Sequence, residues 1–277
     1  MIQQNKPVYA PYAMELQYRK ELYALIEGMD KDFRTILKIY RSKQNQIAMD
    51  EQMLSTDIQD KINKLGNRWR TKFNDYAKKN AQKRVEKTLK QSDSQLTTVL
   101  AAYFTINGLL EIFKTKTQSL MQVMKVNVAE NISLIESIPE QYIKRIQTMV
   151  TNTINSSATW TDLRREVIKT KDITLNRAKL IARDQTNKVF NAVTLRRFEQ
   201  LGITRVKWKH SHADKEPRPY HVRQWDGHSG IDDGAPNGLD GFEFDLNNPP
   251  VINEKTGRRG FPGEEINCSC MMIPVVS

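Results

Sequence analysis

Cysteine is scarce in this sequence. Its only two cysteines, Cys268 and Cys270, are separated by a single residue in a chain of 277. Side chains this close along the chain do not easily reach normal disulfide geometry. A disulfide-stabilised secreted fold is therefore not expected, and thiols that stay reduced or bind a metal fit the pattern better. Reduced thiols indicate synthesis in the cytosol.

Long apolar runs are missing as well. The longest stretch without a charged residue runs from Ser94 to Leu110, only seventeen residues, and it includes glutamine, threonine and asparagine side chains. It is too short and too polar for a confident membrane span, so we predict a buried helix there. The N-terminus has no basic segment followed by an apolar run, so no signal peptide is expected.

Several common catalytic signatures are absent too. The sequence has no glycine-rich phosphate loop and no serine nucleophile elbow. Reactive residue types are instead concentrated between Trp208 and Cys270, a stretch that holds both cysteines and all four histidines. These histidines are His210, His212, His221 and His228. Any defined chemistry is therefore expected in this stretch.

Positive charge is abundant but unevenly placed. The net charge is +11, yet residues 203–277 hold nine basic and eleven acidic residues, so residues 1–202 carry +13. A basic body of this kind indicates an acidic partner, either nucleic acid or an acidic protein surface, although a merely solvated surface is the alternative. If DNA binds, we expect phosphate-directed contacts from one basic run. Its members are Lys78, Lys79, Lys83, Arg84, Lys87 and Lys90.

Apolar residues recur at helical spacing before residue 203. One stripe runs from Met14 to Tyr40 and a second from Leu54 to Tyr76, in steps of four and three. They predict two long helices in an antiparallel hairpin or bundle. Further helices are predicted from local start and stop signals. We expect starts near Ser92 or Asp93, Thr161 and Thr174, a break at Pro139 and a final C-cap at Gly202.

The period changes after Gly202. Ile203, Val206 and Trp208 alternate with polar residues and predict a strand, and the run from Met271 to Val276 predicts a closing strand. The predicted fold class is α+β: an elongated, mainly helical N-terminal region followed by a small C-terminal α+β module with few short strands.

The two cysteines and the histidines suggest a metal site. Thiolate sulfur and neutral imidazole are zinc ligands, and Cys268, Cys270 and His221 could supply three of them. Asp214, His212 or His228 could supply the fourth. A small, loop-rich module has little apolar surface, and a metal could fix its ends together. The spacing is not that of a standard zinc finger, and the alternative is a small buried Cys268 beside the last strand with histidines at the surface.

Catalysis is the less favoured interpretation of the same stretch. His221 with Asp214 or Asp226 could form an acid–base pair. Glu264 and Glu265 could be carboxylates of an ADP-ribosyl transfer site, but an exposed turn explains them more simply. We therefore favour a structural role over an enzymatic one.

A set of short motifs, in this order, resembles the phage Mu F-like head-morphogenesis family. The helical segment Ile181–Asn187 is followed by Gly202-Ile203, Trp208, Asp214, Arg218, His221 and Asp226-Gly227, and then by Pro262-Gly263 and Asn267-Cys268-Ser269-Cys270. The resemblance covers roughly Ile138 to Pro274, and Ser269 departs from it, because the family often has arginine there. We therefore divide the chain into a basic helical region, 1–137, and a Mu F-like domain, 138–277. Within this domain we place helices at 140–201 and a strand and loop module at 203–277.

The resemblance implies a minor head protein of a tailed double-stranded DNA phage. Such a protein is made in the host cytoplasm and becomes part of the virion head. The implied partners are the portal protein, the major capsid or scaffolding protein and non-specifically bound double-stranded DNA. The implied metal ligands are Asp214, His221, Cys268 and Cys270, with zinc as the metal. A head-packaged enzyme, either a metal-dependent nuclease or an ADP-ribosyltransferase, is the alternative function, and a virion-independent DNA-binding or toxin-linked protein is a third.

Overall fold

The computed structural model describes residues 7–44, 51–155, 160–211, 218–222, 238–253 and 255–276. The helices are α1 (Tyr12–Gln44), α2 (Glu51–Leu100), α3 (Ile106–Thr115), α4 (Thr117–Asn155) and α5 (Trp160–Gln200). The strands are β1 (Arg205–Lys209), β2 (Glu243–Asp245), β3 (Val251–Asn253), β4 (Arg258–Arg259) and β5 (Met271–Val275), and a short 3-10 helix spans Pro219–His221. Long helices followed by a few short antiparallel strands confirm the predicted α+β class.

The chain forms two compact units. Unit 1 comprises the described residues of Met1–Met14, Lys83–Val128 and Arg183–Ser277, and unit 2 comprises those of Glu15–Gln82 and Ala129–Ala182. Helices α2, α4 and α5 each contribute residues to both units. None of the described helices combines the length and apolarity that a membrane crossing needs.

Unit 2 is a helical core that follows the apolar stripes. Residues such as Leu22, Phe33 and Phe73 are fully buried in one cluster that includes side chains from α1, α2, α4 and α5. Gly28 lies against Trp69, and a Cβ at this position would come within 2.9 Å of the indole ring. The glycine that weakens the α1 stripe therefore makes room for the largest side chain of the α2 stripe.

Unit 1 contains the sheet. Its strand order is β2-β1-β5, with both neighbours antiparallel to β1, and β3 and β4 form a separate two-stranded sheet. Val206 and Trp208 of β1 are buried, whereas Arg205 and Lys207 are exposed, as the alternating sequence predicts. Gly202, with φ +72°, follows α5, and the Ile203 N–H donates to the Phe198 carbonyl at 2.9 Å. This C-cap turns the chain from α5 into β1.

Several predicted helix boundaries are wrong. Ser92 and Asp93 lie inside α2, Pro139 lies inside α4, and Thr174 lies inside α5, whereas the start expected near Thr161 agrees with the described start of α5 at Trp160. The actual cap is Thr105, whose hydroxyl accepts from the Gly108 N–H at the start of α3. Burial explains the differences, because packing of an apolar face stabilises a helix more than a local stop signal destabilises it.

Candidate metal centre

His221, Cys268 and Cys270 come together in unit 1. All three are buried, and their potential ligand atoms lie within 4.8 Å of one another. The His221 Nδ1 atom is 3.6 Å from the Cys268 sulfur and 3.7 Å from the Cys270 sulfur. Neither cysteine forms a disulfide. The structure therefore contains a His–Cys–Cys group (His221, Cys268 and Cys270) that could bind a metal.

The imidazole of His221 is oriented by its other nitrogen. Its Nε2 atom lies 3.1 Å from the Ile252 carbonyl oxygen, which only accepts hydrogen bonds. Nε2 therefore carries the proton and donates, and the lone pair of Nδ1 faces the two sulfurs. A backbone carbonyl on the far nitrogen is the usual arrangement behind a metal-binding histidine. The edge-on ring of Trp208, 5.2 Å away between centroids, packs beside the imidazole.

The loop that carries the cysteines, residues 267–270 (the Cys loop), is held by polar side chains of α5. The Asp184 carboxylate accepts from the Asn267 N–H at 2.6 Å. The Asn187 amide donates to the Cys268 carbonyl at 3.0 Å. The Arg183 guanidinium donates to the Ser269 hydroxyl, at 2.6 Å from Nη2 and 3.1 Å from Nε. Three consecutive loop positions, 267 to 269, are thus bound to one face of one helix.

The thiol of Cys268 is acidified by its neighbours. The side-chain hydrogen bond with Cys270 is the largest cause that lowers the pKa of Cys268 below its usual value, and His221 adds to this effect. Burial acts in the opposite direction, because it disfavours the thiolate. A low pKa favours the thiolate, which is the form that binds metals.

Three of the four predicted metal ligands are therefore adjacent. The fourth, Asp214, lies outside the described residues, as do His212, His228 and Asp226. His221 and His210 are both buried, so the alternative that places the histidines at the surface is wrong for these two. The backbone N–H of His210 donates to Asp240, and His210 is not part of the His–Cys–Cys group. Metal binding itself stays a prediction.

The carboxylates considered for ADP-ribosyl transfer are engaged elsewhere. Arg258 binds Glu264 at 3.1 Å and Glu265 at 3.4 Å. Glu265 is buried and Glu264 half-buried, so the interpretation of an exposed turn is wrong. Burial raises the pKa of Glu264, and the charge of Arg258 opposes that shift. Both side chains therefore link the turn before the Cys loop to Arg258 of β4, and this is a structural role.

The predicted nucleic-acid-binding residues lie along α2. Lys78, Lys79, Lys83, Lys87 and Lys90 are exposed, and Arg84 is half-buried. Four of these lysines, 79, 83, 87 and 90, fall within a roughly 80° arc at 3.6 residues per turn. We call these four residues the lysine stripe. It lies opposite the buried residues of the same part of α2, Ala77, Ala81 and Val85, and its four side chains are exposed.

The polar face of α5 was missed as a functional feature. The sequence shows Arg183, Asp184 and Asn187 as part of a family-like segment but gives no partner for them. A usable signal is their spacing, since positions 183, 184, 187 and 191 share one side of a helix that also buries polar residues. Buried polar groups need hydrogen-bond partners, and this requirement predicts a loop docked there.

Comparison with known proteins agrees with the resemblance seen in the sequence. Residues 144–273 match the family described as Phage Mu protein F like protein. The resemblance predicted for residues 138–274 is thereby confirmed over residues 144–273.

A relative from Haemophilus influenzae, described as an uncharacterized protein, is 26% identical over 275 residues. The alignment covers 98% of this chain, which spans about half, 55%, of the length of that relative. No solved structure matches the chain significantly.

Proposed function

Because residues 144–273 carry the phage Mu F-like region, we propose that the protein is a minor head protein of a tailed double-stranded DNA phage. In this role it associates with the portal and with the major capsid or scaffolding protein during head assembly. It is made in the host cytoplasm and ends inside the virion head, where it contacts packaged DNA without sequence preference. The family match is the observation that carries this proposal.

The test uses phage particles. Proheads and virions from a phage that encodes this chain are purified and analysed by mass spectrometry, before and after cross-linking. We expect the protein in both particles, at far lower abundance than the major capsid protein, with cross-links from residues 144–273 to the portal. A protein confined to the soluble fraction of the lysate would contradict the proposal.

A zinc ion fits the His–Cys–Cys group by its chemistry. A site of two thiolates and an imidazole favours zinc over calcium or magnesium, because calcium and magnesium prefer oxygen ligands. The side chains that would hold it are His221, Cys268 and Cys270, and the family resemblance adds Asp214. When bound, zinc would supply a closed structural cross-link rather than a reaction centre.

The side chains that would form such a cross-link come from two distant parts of the chain. His221 lies in the 3-10 helix, and the cysteines lie almost fifty positions later, in a loop before β5. Joining them fixes the two ends of a module whose strands have only two to five residues. Short strands and long loops bury little apolar surface, so an extra link stabilises the folded module.

DNA contact is the second part of the proposal. The lysine stripe presents four ammonium groups over about 16 Å of helix. Phosphates of a DNA backbone would bind these groups without base recognition and would release counterions. This mode suits a protein that meets DNA of any sequence inside a head.

A further inference from the structure

The side chains of α5 contact three consecutive positions of the Cys loop. They reach the backbone of residues 267 and 268 and the side chain of Ser269. Asn187 also donates to the Ser269 hydroxyl, at 3.3 Å. Every position from 267 to 269 is therefore fixed by α5, and Cys268 and Cys270 lie within or next to this segment.

The backbone at Asn267 adopts a conformation that this contact stabilises. Its φ of 62° is in the left-handed region, which asparagine adopts at a smaller cost than most residues other than glycine. The Asp184 carboxylate accepts the N–H of this residue through a short bond, and Asp184 is 8% exposed. A hydrogen bond to this N–H in a buried place stabilises the turn, and it requires an acceptor oxygen at position 184.

We propose that Asp184 and Asn187 are positioning residues of the metal centre, which hold Cys268 and Cys270 beside His221 before a metal binds. This inference rests on the proposed zinc centre and deepens it. Ligands that are ordered in advance lose less conformational freedom on binding, so affinity for the metal depends on a helix that supplies no ligand. Contacts behind the ligands commonly change metal affinity by about 10–100-fold.

The test compares four variants of the full chain. Asp184→Ala and Asn187→Ala remove one contact each, and Asp184→Asn keeps an oxygen that can accept the Asn267 N–H. Arg196→Ala is the matched control, because Arg196 lies on α5 and pairs only with the exposed Glu199 in a described contact. Zinc affinity is measured by competition with a chromogenic chelator. The rate of thiol labelling with an aromatic disulfide reagent is measured on metal-free protein, with circular dichroism as the check of folding.

We expect Asp184→Ala and Asn187→Ala to weaken zinc binding at least tenfold. In the metal-free state, the thiols of both variants should be labelled faster than those of the wild type. Asp184→Asn should stay within about threefold in affinity, and Arg196→Ala should match the wild type. Equal zinc affinity in Asp184→Ala and Arg196→Ala would overturn the proposal, as would an Asp184→Asn variant as weak as Asp184→Ala. If Asp184→Ala does not fold, the same two measurements on Asn187→Ala test the proposal. This variant should still fold, because it removes only hydrogen bonds between neutral groups.

The labelling measurement separates this inference from the zinc proposal. A wild-type protein without zinc affinity, whose thiols still label faster in the two alanine variants, would end the zinc centre and keep the positioning of the thiols by α5. Equal labelling in all variants would end the positioning role itself.

Discussion

Arg196 and Arg197 are neighbours in sequence with opposite environments. Arg197 is fully buried, donates to both oxygens of Asp93 at 2.8 and 2.9 Å, and lies over the Phe113 ring. Burial is the largest cause that raises the pKa of Asp93, and Arg197 counteracts it. Arg196 pairs with Glu199 in the solvent. The Arg197–Asp93 pair thus joins α2 to α5 inside unit 1.

We predict that Arg197→Ala lowers the free energy of unfolding by about 3 kcal/mol, because it removes a fully buried cation and leaves the half-buried Asp93 carboxylate without this partner. Arg196→Ala should change it by less than about 1 kcal/mol, as for exposed ion pairs. Urea denaturation followed by circular dichroism measures both. Similar midpoints for the two variants would show that the buried pair contributes no more than the exposed one.

Gly263 is a second residue whose local geometry determines the cost of a substitution. It has φ +83°, and a Cβ there would lie 2.0 Å from the Asn191 side chain on α5. Gly257 has φ +66° with nothing within 4 Å. Both positions disfavour alanine by conformation, but only Gly263 also lacks space.

Gly263→Ala should therefore destabilise the protein by about 1–3 kcal/mol more than Gly257→Ala, which carries the backbone cost alone. Thermal unfolding of the two variants side by side gives this difference. Equal melting temperatures would mean that the loop after Phe261 moves away from α5 at no cost.

The residue types in the sequence predicted the His–Cys–Cys group better than they predicted the hydrogen bonds that hold it in place. Cysteine and histidine are rare here, so their concentration near the C-terminus limited the choice of ligands. The supporting contacts join residues more than 80 positions apart, for instance Asp184 and Asn267. The spacing of the polar residues on α5 indicates a polar face, but no local pattern identifies the loop residues that bind to it.

At the scale of whole elements, periodicity predicted the helices and misplaced their ends. The middle of each stripe is buried as expected, from Tyr18 to Phe33 in α1 (except the half-buried Leu25) and from Ile58 to Phe73 in α2, and β1 and β5 occur where the sequence predicts strands. Pro139 failed as a break because Ile135, Ile138 and Tyr142 around it are fully buried. Thr174 failed as a cap because its hydroxyl bonds back to the Thr170 carbonyl within α5.

The lysine stripe of α2 permits a prediction about DNA. Changing its four lysines, Lys79, Lys83, Lys87 and Lys90, to glutamine should weaken DNA binding and reduce its salt dependence. The slope of log affinity against log salt should fall by about 0.9 for each lost phosphate contact. Fluorescence anisotropy with a random-sequence duplex at several salt concentrations measures it.

The matched control removes four other cations that pair with acids on α2 and α5. These are Lys61, Lys64, Arg165 and Lys169, and glutamine at all four changes the net charge equally. An equal loss of affinity in both variants would mean that net charge, and not the stripe, attracts DNA. Unchanged binding at low salt in the stripe variant would rule out this surface.

At the scale of the whole molecule, the two units differ in what stabilises them. Unit 2 consists of helices with a continuous apolar cluster of large side chains. Unit 1 includes the sheet, the loops and the His–Cys–Cys group. A metal bound to that group would stabilise the fold around it by mass action, since the unfolded loop does not present the three ligands together.

Chelation should therefore act on one unit alone. In hydrogen exchange with mass spectrometry, removal of zinc should speed exchange in residues 238–276 and at the α5 positions that hold the Cys loop. Segments of unit 2, such as residues 18–37 of α1, should keep their rates, because their protection comes from apolar burial. The variant with both Cys268 and Cys270 changed to serine should exchange fast in the same segments, with or without chelator. Uniform acceleration across both units, or none in the wild type, would contradict a zinc link confined to unit 1.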